Sequence, residues 1–90
     1  MHFLWDQNKN LANIKKHQVS FEEARTVFFD ENARLISDPE HSTTEKRFII
    51  LGISFRLKLL IVVHTYKGND DIIRIISARK AAKSESRYYY

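Results

Sequence analysis

The stretch Leu57–Tyr66 is apolar on both faces for most of its length, and no other feature constrains the fold as tightly. It is rich in β-branched residues and far too short to span a bilayer, so it reads as a strand in the middle of a sheet. Its neighbours are close at hand. Arg47–Ile53 precedes it across Gly52-Ile53-Ser54-Phe55, and Asp71–Ser77 follows it across Lys67-Gly68-Asn69-Asp70. Both connections are short enough for antiparallel hairpins. Ala33-Arg34-Leu35-Ile36 adds a further strand, closed by the turn Ser37-Asp38-Pro39-Glu40, where Pro39 lacks a ladder donor.

The N-terminal part changes period. His2–Trp5 reads as a short strand, and Asp6 as the N-cap of a helix over 7–17 with Leu11 and Ile14 on its buried side. Ser20-Phe21-Glu22-Glu23 forms a capping box, followed by Phe21, Ala24, Val27 and Phe28 at helical spacing. From Arg79 onward the chain is rich in Ala, Lys, Arg and Glu, which predicts a C-terminal helix. The sum is a single α+β domain over residues 1–90, with two N-terminal helices, an antiparallel sheet of about four strands and a C-terminal helix.

Composition narrows the function. There is no cysteine, so disulfides and thiolate metal sites are excluded. The first residues, Met1-His2-Phe3-Leu4-Trp5-Asp6, lack a basic region leading into an apolar one, and we expect no signal peptide and a cytoplasmic protein. The charge is divided unevenly. Residues 1–45 hold 5 Lys and Arg against 8 Asp and Glu, whereas residues 46–90 hold 10 against 3. A positive field over part of the surface favours a polyanionic partner such as nucleic acid.

Two arginines stand in or just beyond the apolar run Ile72-Ile73-Arg74-Ile75-Ile76-Ser77-Ala78-Arg79. A guanidinium there needs an anionic partner, either an internal carboxylate or a phosphate, whose oxygens its planar fork matches. Arg79 is placed at a strand-to-helix junction, where backbone amides and a cation can cradle a phosphate, with Ser77 as a donor or a helix cap. His41, Glu45 and Arg47 form a compact group beside a polar loop. His41 is either a solvated loop histidine or the general base or acid, since imidazole titrates near neutrality. Glu45 either orients it, acts as the base or pairs with an arginine. Arg47 and Arg79 are the candidates for stabilising charge on a phosphate. Lys9, Asn13 and Lys16 recur as a polar stripe on the first helix, either a solvated face or a contact to flanking phosphates. His64, toward the end of the central strand, reads as a hydrogen-bonded structural histidine, while Tyr66 and Phe55 are either core or base-stacking aromatics. The four histidines are scattered without metal-ligand spacing, and no metal or other cofactor is expected.

The same residues carry a family likeness. Arg74-Ile75-Ile76-Ser77-Ala78-Arg79 resembles the signature of the BrnT toxins of type II toxin–antitoxin systems. Trp5-Asp6 with Lys9 and Asn13, Lys16-His17-Gln18-Val19-Ser20-Phe21-Glu22-Glu23-Ala24, and His41-Ser42 with Glu45 and Arg47 agree in order. The family's Gly after the Lys-His pair is Gln18 here. The resemblance implies a RelE-like fold and a ribonuclease toxin that needs no cofactor. Its partners would be an RNA substrate and a cognate ribbon-helix-helix antitoxin like BrnA, through which alone it meets operator DNA. It would exist as a dimer or as a heterotetramer with that antitoxin, with no membrane contact. Two other readings remain open on the residues themselves: a non-catalytic RNA- or antitoxin-binding module of the same fold, and a purely structural partner of a DNA-binding protein.

Overall fold

The computed structural model describes residues 1–37 and 46–90. Along the chain come β1 (His2–Leu4), α1 (Gln7–His17), α2 (Phe21–Thr26) running into a 3-10 turn (Val27–Phe29), β2 (Arg34–Ser37), β3 (Phe48–Ile53), β4 (Leu59–Lys67), β5 (Ile72–Lys80) and α3 (Lys83–Ser86). The strands make one sheet in the order β1-β5-β4-β3-β2. The apolar strand β4 is therefore central, as its two-sided composition requires. The sheet is mixed rather than antiparallel throughout, because β1 joins as a fifth strand, parallel to β5, with His2 opposite Ile72. Phe3 anchors this edge strand, its ring 5.3 Å from that of Phe28.

One face of the sheet closes onto the helices. Ile50, Leu60, Val62, Ile75 and Ala78 pack against Val19, Phe21, Ala24 and Val27. Each large side chain buried there contributes roughly 1.5–3 kcal/mol. Gly52 lets the 3-10 turn approach β3, since a Cβ at that position would stand 2.8 Å from Val27 Cγ1 and 3.1 Å from Asp30 Oδ2.

Helix α1 packs the opposite way from its apolar pattern. Leu11 and Ile14 are 56% and 39% exposed, while Asn10 and Asn13 face inward. Hydrogen bonding decides this orientation. β1 ends at Leu4, opposite Arg74, so no strand accompanies β5 beyond that point. Asn13 fills the gap: its Oδ1 accepts from Ala78 N at 3.1 Å, and its Nδ2 donates to Ala78 O at 2.8 Å and Val19 O at 2.9 Å. One carboxamide thus serves Ala78 as a neighbouring strand would. Asn10 Oδ1 similarly accepts from Phe21 N at 2.9 Å. Leaving those backbone groups unpaired costs more than exposing two aliphatic side chains.

The α1–α2 junction is left-handed, a conformation that glycine adopts more readily than glutamine. Gln18 has φ 58° and ψ 31°, and its N–H bonds Ile14 O at 2.8 Å. Only half of the capping box forms. Ser20 Oγ accepts from Glu23 N, but the Glu23 carboxylate accepts instead from Ser54 Oγ at 2.7 Å. With Phe55 N donating to Thr26 Oγ1, this bond ties the β3–β4 connection to α2.

The C-terminal boundary also moves. β5 continues to Lys80, its Ala78, Arg79 and Lys80 pairing with Val62, Ile61 and Leu60, so the helix expected from Arg79 starts only at Lys83. Beyond α3, the Tyr89 hydroxyl donates to Asp30 Oδ2 at 2.7 Å. Desolvation raises the Asp30 pKa. The bonds from Ile53 N–H, Tyr89 OH and Asn32 N–H outweigh it and hold that carboxyl below its ordinary value.

Candidate functional site

Strict alternation would put Arg74 and Arg79, five positions apart, on opposite faces of β5. A β-bulge changes that. Ser77 pairs with Val63 and Ile75 with His64, leaving Ile76 as the extra residue. Arg74 then lies opposite Thr65 and Arg79 opposite Ile61, two positions on the same side of β4. The bulge therefore collects both arginines on the face turned away from α1 and α2. Arg34 joins the same row through Leu51 and Ile61. Arg47, just before Phe48, alternates onto the face of Ile49 and Leu51, and Lys67 falls in line with Thr65. Among the described residues, no strand of this sheet holds an acidic residue.

The cations spread along this face. Arg79 sits four β4 residues from Arg74, a separation of roughly 13 Å along the strand. Arg47 is half-buried at the Arg74 end. His41 and Glu45 lie outside the described residues. The Arg74 guanidinium has no hydrogen bond or ion pair among the described residues, and the Thr65 hydroxyl on the neighbouring strand is buried without a partner there. Arg79 is engaged: it donates to both Glu85 carboxylate oxygens at 2.8 Å and to Lys80 O at 3.2 Å. The hydrogen bonds from Arg79 and the proximity of its charge pull the Glu85 carboxyl down to about 2, and the same pair raises the arginine. Arg79 itself lies within β5, three residues before Ala82, the N-cap of α3.

A second cationic feature borders the first. Lys9, Ala12, Asn13, Lys16, His17, Ile76 and Ser77 line a shallow groove of about 240 Å³ between α1 and the free edge of β5. Four residues of the sequence-predicted phosphate set, Lys9, Asn13, Lys16 and Ser77, thus meet in one place. Asn13 corrects that prediction, since its amide bonds are spent on Ala78 and Val19 and its side chain forms the groove floor. Lys9 and Lys16 are exposed. Ser77, between the two arginines of β5, is where groove and arginine face adjoin.

His64 belongs to the closed side. It is fully buried, with Phe28 and Phe48 rings around it. Nδ1 lies 3.1 Å from Val62 O, which can only accept, so Nδ1 carries the proton and Nε2 accepts from the Tyr66 hydroxyl at 3.2 Å. Burial pushes its pKa down to about 4. It is a structural histidine. Tyr66 packs on Phe48 and His64, while Phe55 is exposed. Among the described residues no His, Asp and Glu side chains gather as a metal site, and no helix is long and apolar enough to cross a membrane.

Fold and charge define a class: a small α+β domain with a cationic sheet face suited to a polyanion. Residues 5–85 match the family model described as the ribonuclease toxin BrnT of type II toxin–antitoxin systems. The chain belongs to that family and is an endoribonuclease toxin, with RNA as substrate and an antitoxin as partner. The fold agrees with the 1.1 Å crystal structure of the Brucella abortus ribonuclease toxin BrnT, at a TM-score of 0.69 and 22% identity, over 92% of this chain and 99% of that one. No curated protein matches the chain.

Proposed function

We propose that this toxin cleaves RNA without a metal ion, binding the scissile phosphate on the arginine face of the sheet. The observation that carries this reading is the bulge at Ile76, which turns Arg74 and Arg79 to one side. Arg79 is the principal contact to the phosphate, and Arg47 and Arg74 extend the positive face toward the other end of the strands. Lys9, Lys16 and Ser77 hold flanking phosphates in the adjoining groove. The reaction needs a base to take the proton of the ribose 2′-hydroxyl, whose oxygen attacks phosphorus. An arginine steadies the charge gathering on the phosphoryl oxygens. The 5′-oxygen departs with a proton from an acid, leaving a 2′,3′-cyclic phosphate. His41 and Glu45 fill the acid and base roles on sequence grounds, and His64 is sealed in the core.

The antitoxin is, on this reading, a ribbon-helix-helix protein like BrnA that also carries the complex to operator DNA. Covering the arginine face would both block RNA and neutralise its field. The toxin acts in the cytoplasm, and it assembles as a dimer or as a heterotetramer with the antitoxin. RNA cleavage in EDTA by wild type, Arg79→Ala and His41→Ala tests the proposal. Wild type should cut, and Arg79→Ala should lose roughly 10²–10³-fold in kcat, the scale of removing one charge-stabilising donor. Activity that vanishes in EDTA and returns with a divalent cation would overturn the metal-free mechanism.

A further inference from the structure

α3 has no buried residue, so it adds nothing to the apolar core. Its first turn is organised around one carboxylate. Glu85 Oε1 accepts from Ala82 N at 2.7 Å and from Arg79 Nη1 at 2.8 Å, and Oε2 accepts from Arg79 Nη2 at 2.8 Å. Two partners on different elements therefore fix the carboxylate, and it in turn fixes the guanidinium. Neither side chain is deeply buried, at 42% and 31% exposure. An ion pair so open to water adds little stability. Its geometry is more informative than its energy.

A guanidinium has five N–H donors in a rigid plane. The end-on pair, one hydrogen from each Nη, is taken by Glu85. The hydrogen of Nη1 on the Cδ side goes to Lys80 O at 3.2 Å. Two donors remain without a partner among the described residues: Nε–H and the second hydrogen of Nη2. They lie parallel on one edge of the plane, spaced for the two oxygens of a phosphate. An unrestrained arginine would sample many rotamers before presenting either edge, whereas this one has a single edge left to present.

We propose that Glu85 is a positioning residue for RNA cleavage, holding the end-on fork of Arg79 so that its side-on edge receives two oxygens of one RNA phosphate. The inference rests on the reading above that Arg79 meets the substrate. Glu85 touches no reacting atom; it acts through the arginine. Losing it should slow the chemical step more than it weakens binding, because the cation is still present but no longer aimed.

The test is cleavage kinetics on a single-stranded RNA oligonucleotide with wild type, Glu85→Gln, Arg79→Ala and the double variant, with folding followed by circular dichroism. Glu85→Gln should lower kcat roughly tenfold with KM little changed, within the cost of small misplacements. The double variant should be no slower than Arg79→Ala alone, since both remove the same contact. Glu85→Asp, which keeps the charge on a shorter stem, should recover part of kcat and serves as the folded variant if Gln does not fold. Losses that multiply in the double variant would overturn the proposal and leave Glu85 as a fold contact. Tighter RNA binding by Glu85→Gln would also overturn it, showing that the carboxylate occupies the arginine instead of aiming it. Wild-type kinetics in Arg79→Ala would sink the parent reading itself, a result distinct from either.

Discussion

The two faces of the sheet treat polar groups in opposite ways. On the closed face every one is consumed. Asn13 spends its amide on Ala78 and Val19, Glu23 accepts from Ser54, and His64 bridges Val62 and Tyr66. On the other face donors are left over: Arg74 has no partner among the described residues and Arg79 keeps one edge of its fork. A low-dielectric interior penalises any polar group it leaves unpaired, so burial enforces satisfaction. On the half-exposed face the spare arginine donors are left to water or to an anionic ligand. On the proposed function, polar residues of the closed face are scaffold and those of the open face are chemistry. That division can be broken by experiment.

The largest effect expected on the closed side is acid lability. His64 titrates near 4 when folded, against an ordinary value of 6.5, so between these pH values the unfolded chain binds a proton that the folded chain refuses. The stability is present in full above pH 6.5 and is lost as pH falls toward 4. The total is about 3 kcal/mol. The carboxyls of Glu85 and Asp30, both held low by hydrogen bonds, release their contributions only at more acidic pH, so the window from 6.5 to 4.5 isolates the histidine. Urea unfolding across that window should show the slope, and His64→Phe should flatten it. A wild-type profile already flat there would mean that His64 can be solvated in the native state, and the closed face would not be closed.

Much of this division was legible in the sequence, but not all of it. The central strand, the cap at Ser20 and the structural role of His64 follow from local composition and period. The inverted packing of α1 does not, because hydrophobic periodicity ranks Leu11 and Ile14 above two asparagines. The signal lies instead in an accounting of backbone groups: β5 outlasts the three-residue β1, and something must pair its free edge. The pairing of Arg74 and Arg79 on one face was hidden for a related reason. A bulge adds a residue without leaving a glycine or proline to mark it, and only the register with β4 reveals it. The reach of β5 to Lys80 was missed because Ala and Lys favour helix locally, while pairing with Leu60 decides otherwise.

Asn13 and Lys16 offer the sharpest contrast at intermediate magnitude, since both line one groove. Asn13→Ala strands the Ala78 N–H and the two carbonyls and should cost about 2 kcal/mol of unfolding free energy. Activity per folded molecule should hardly change. Lys16→Ala should do the reverse, leaving stability within about 0.5 kcal/mol and weakening RNA binding, with a shallower salt dependence by about one phosphate contact. Chemical denaturation and RNA titration at several salt concentrations read both. If Asn13→Ala lost RNA affinity without losing stability, the amide would belong to the open side after all.

Gln18 gives the smallest and most local test, at the hinge between the groove-lining end of α1 and the core residue Val19. Its φ of 58° is a conformation that a side chain disfavours, by about 1 kcal/mol relative to glycine. Part of that cost is offset by the bond from Gln18 Nε2 to Lys15 O at 3.2 Å, an exposed contact worth little in water. Gln18→Gly should therefore stabilise the fold by somewhat less than 1 kcal/mol, raising the urea midpoint while leaving kcat and KM for RNA where they are. The strain would then be a tolerated cost of the closed scaffold. A variant that gains stability but loses cleavage would show that the left-handed turn, through its neighbours Lys16 and His17, sets the geometry of the groove, and the boundary between scaffold and chemistry would have to be redrawn one residue further in.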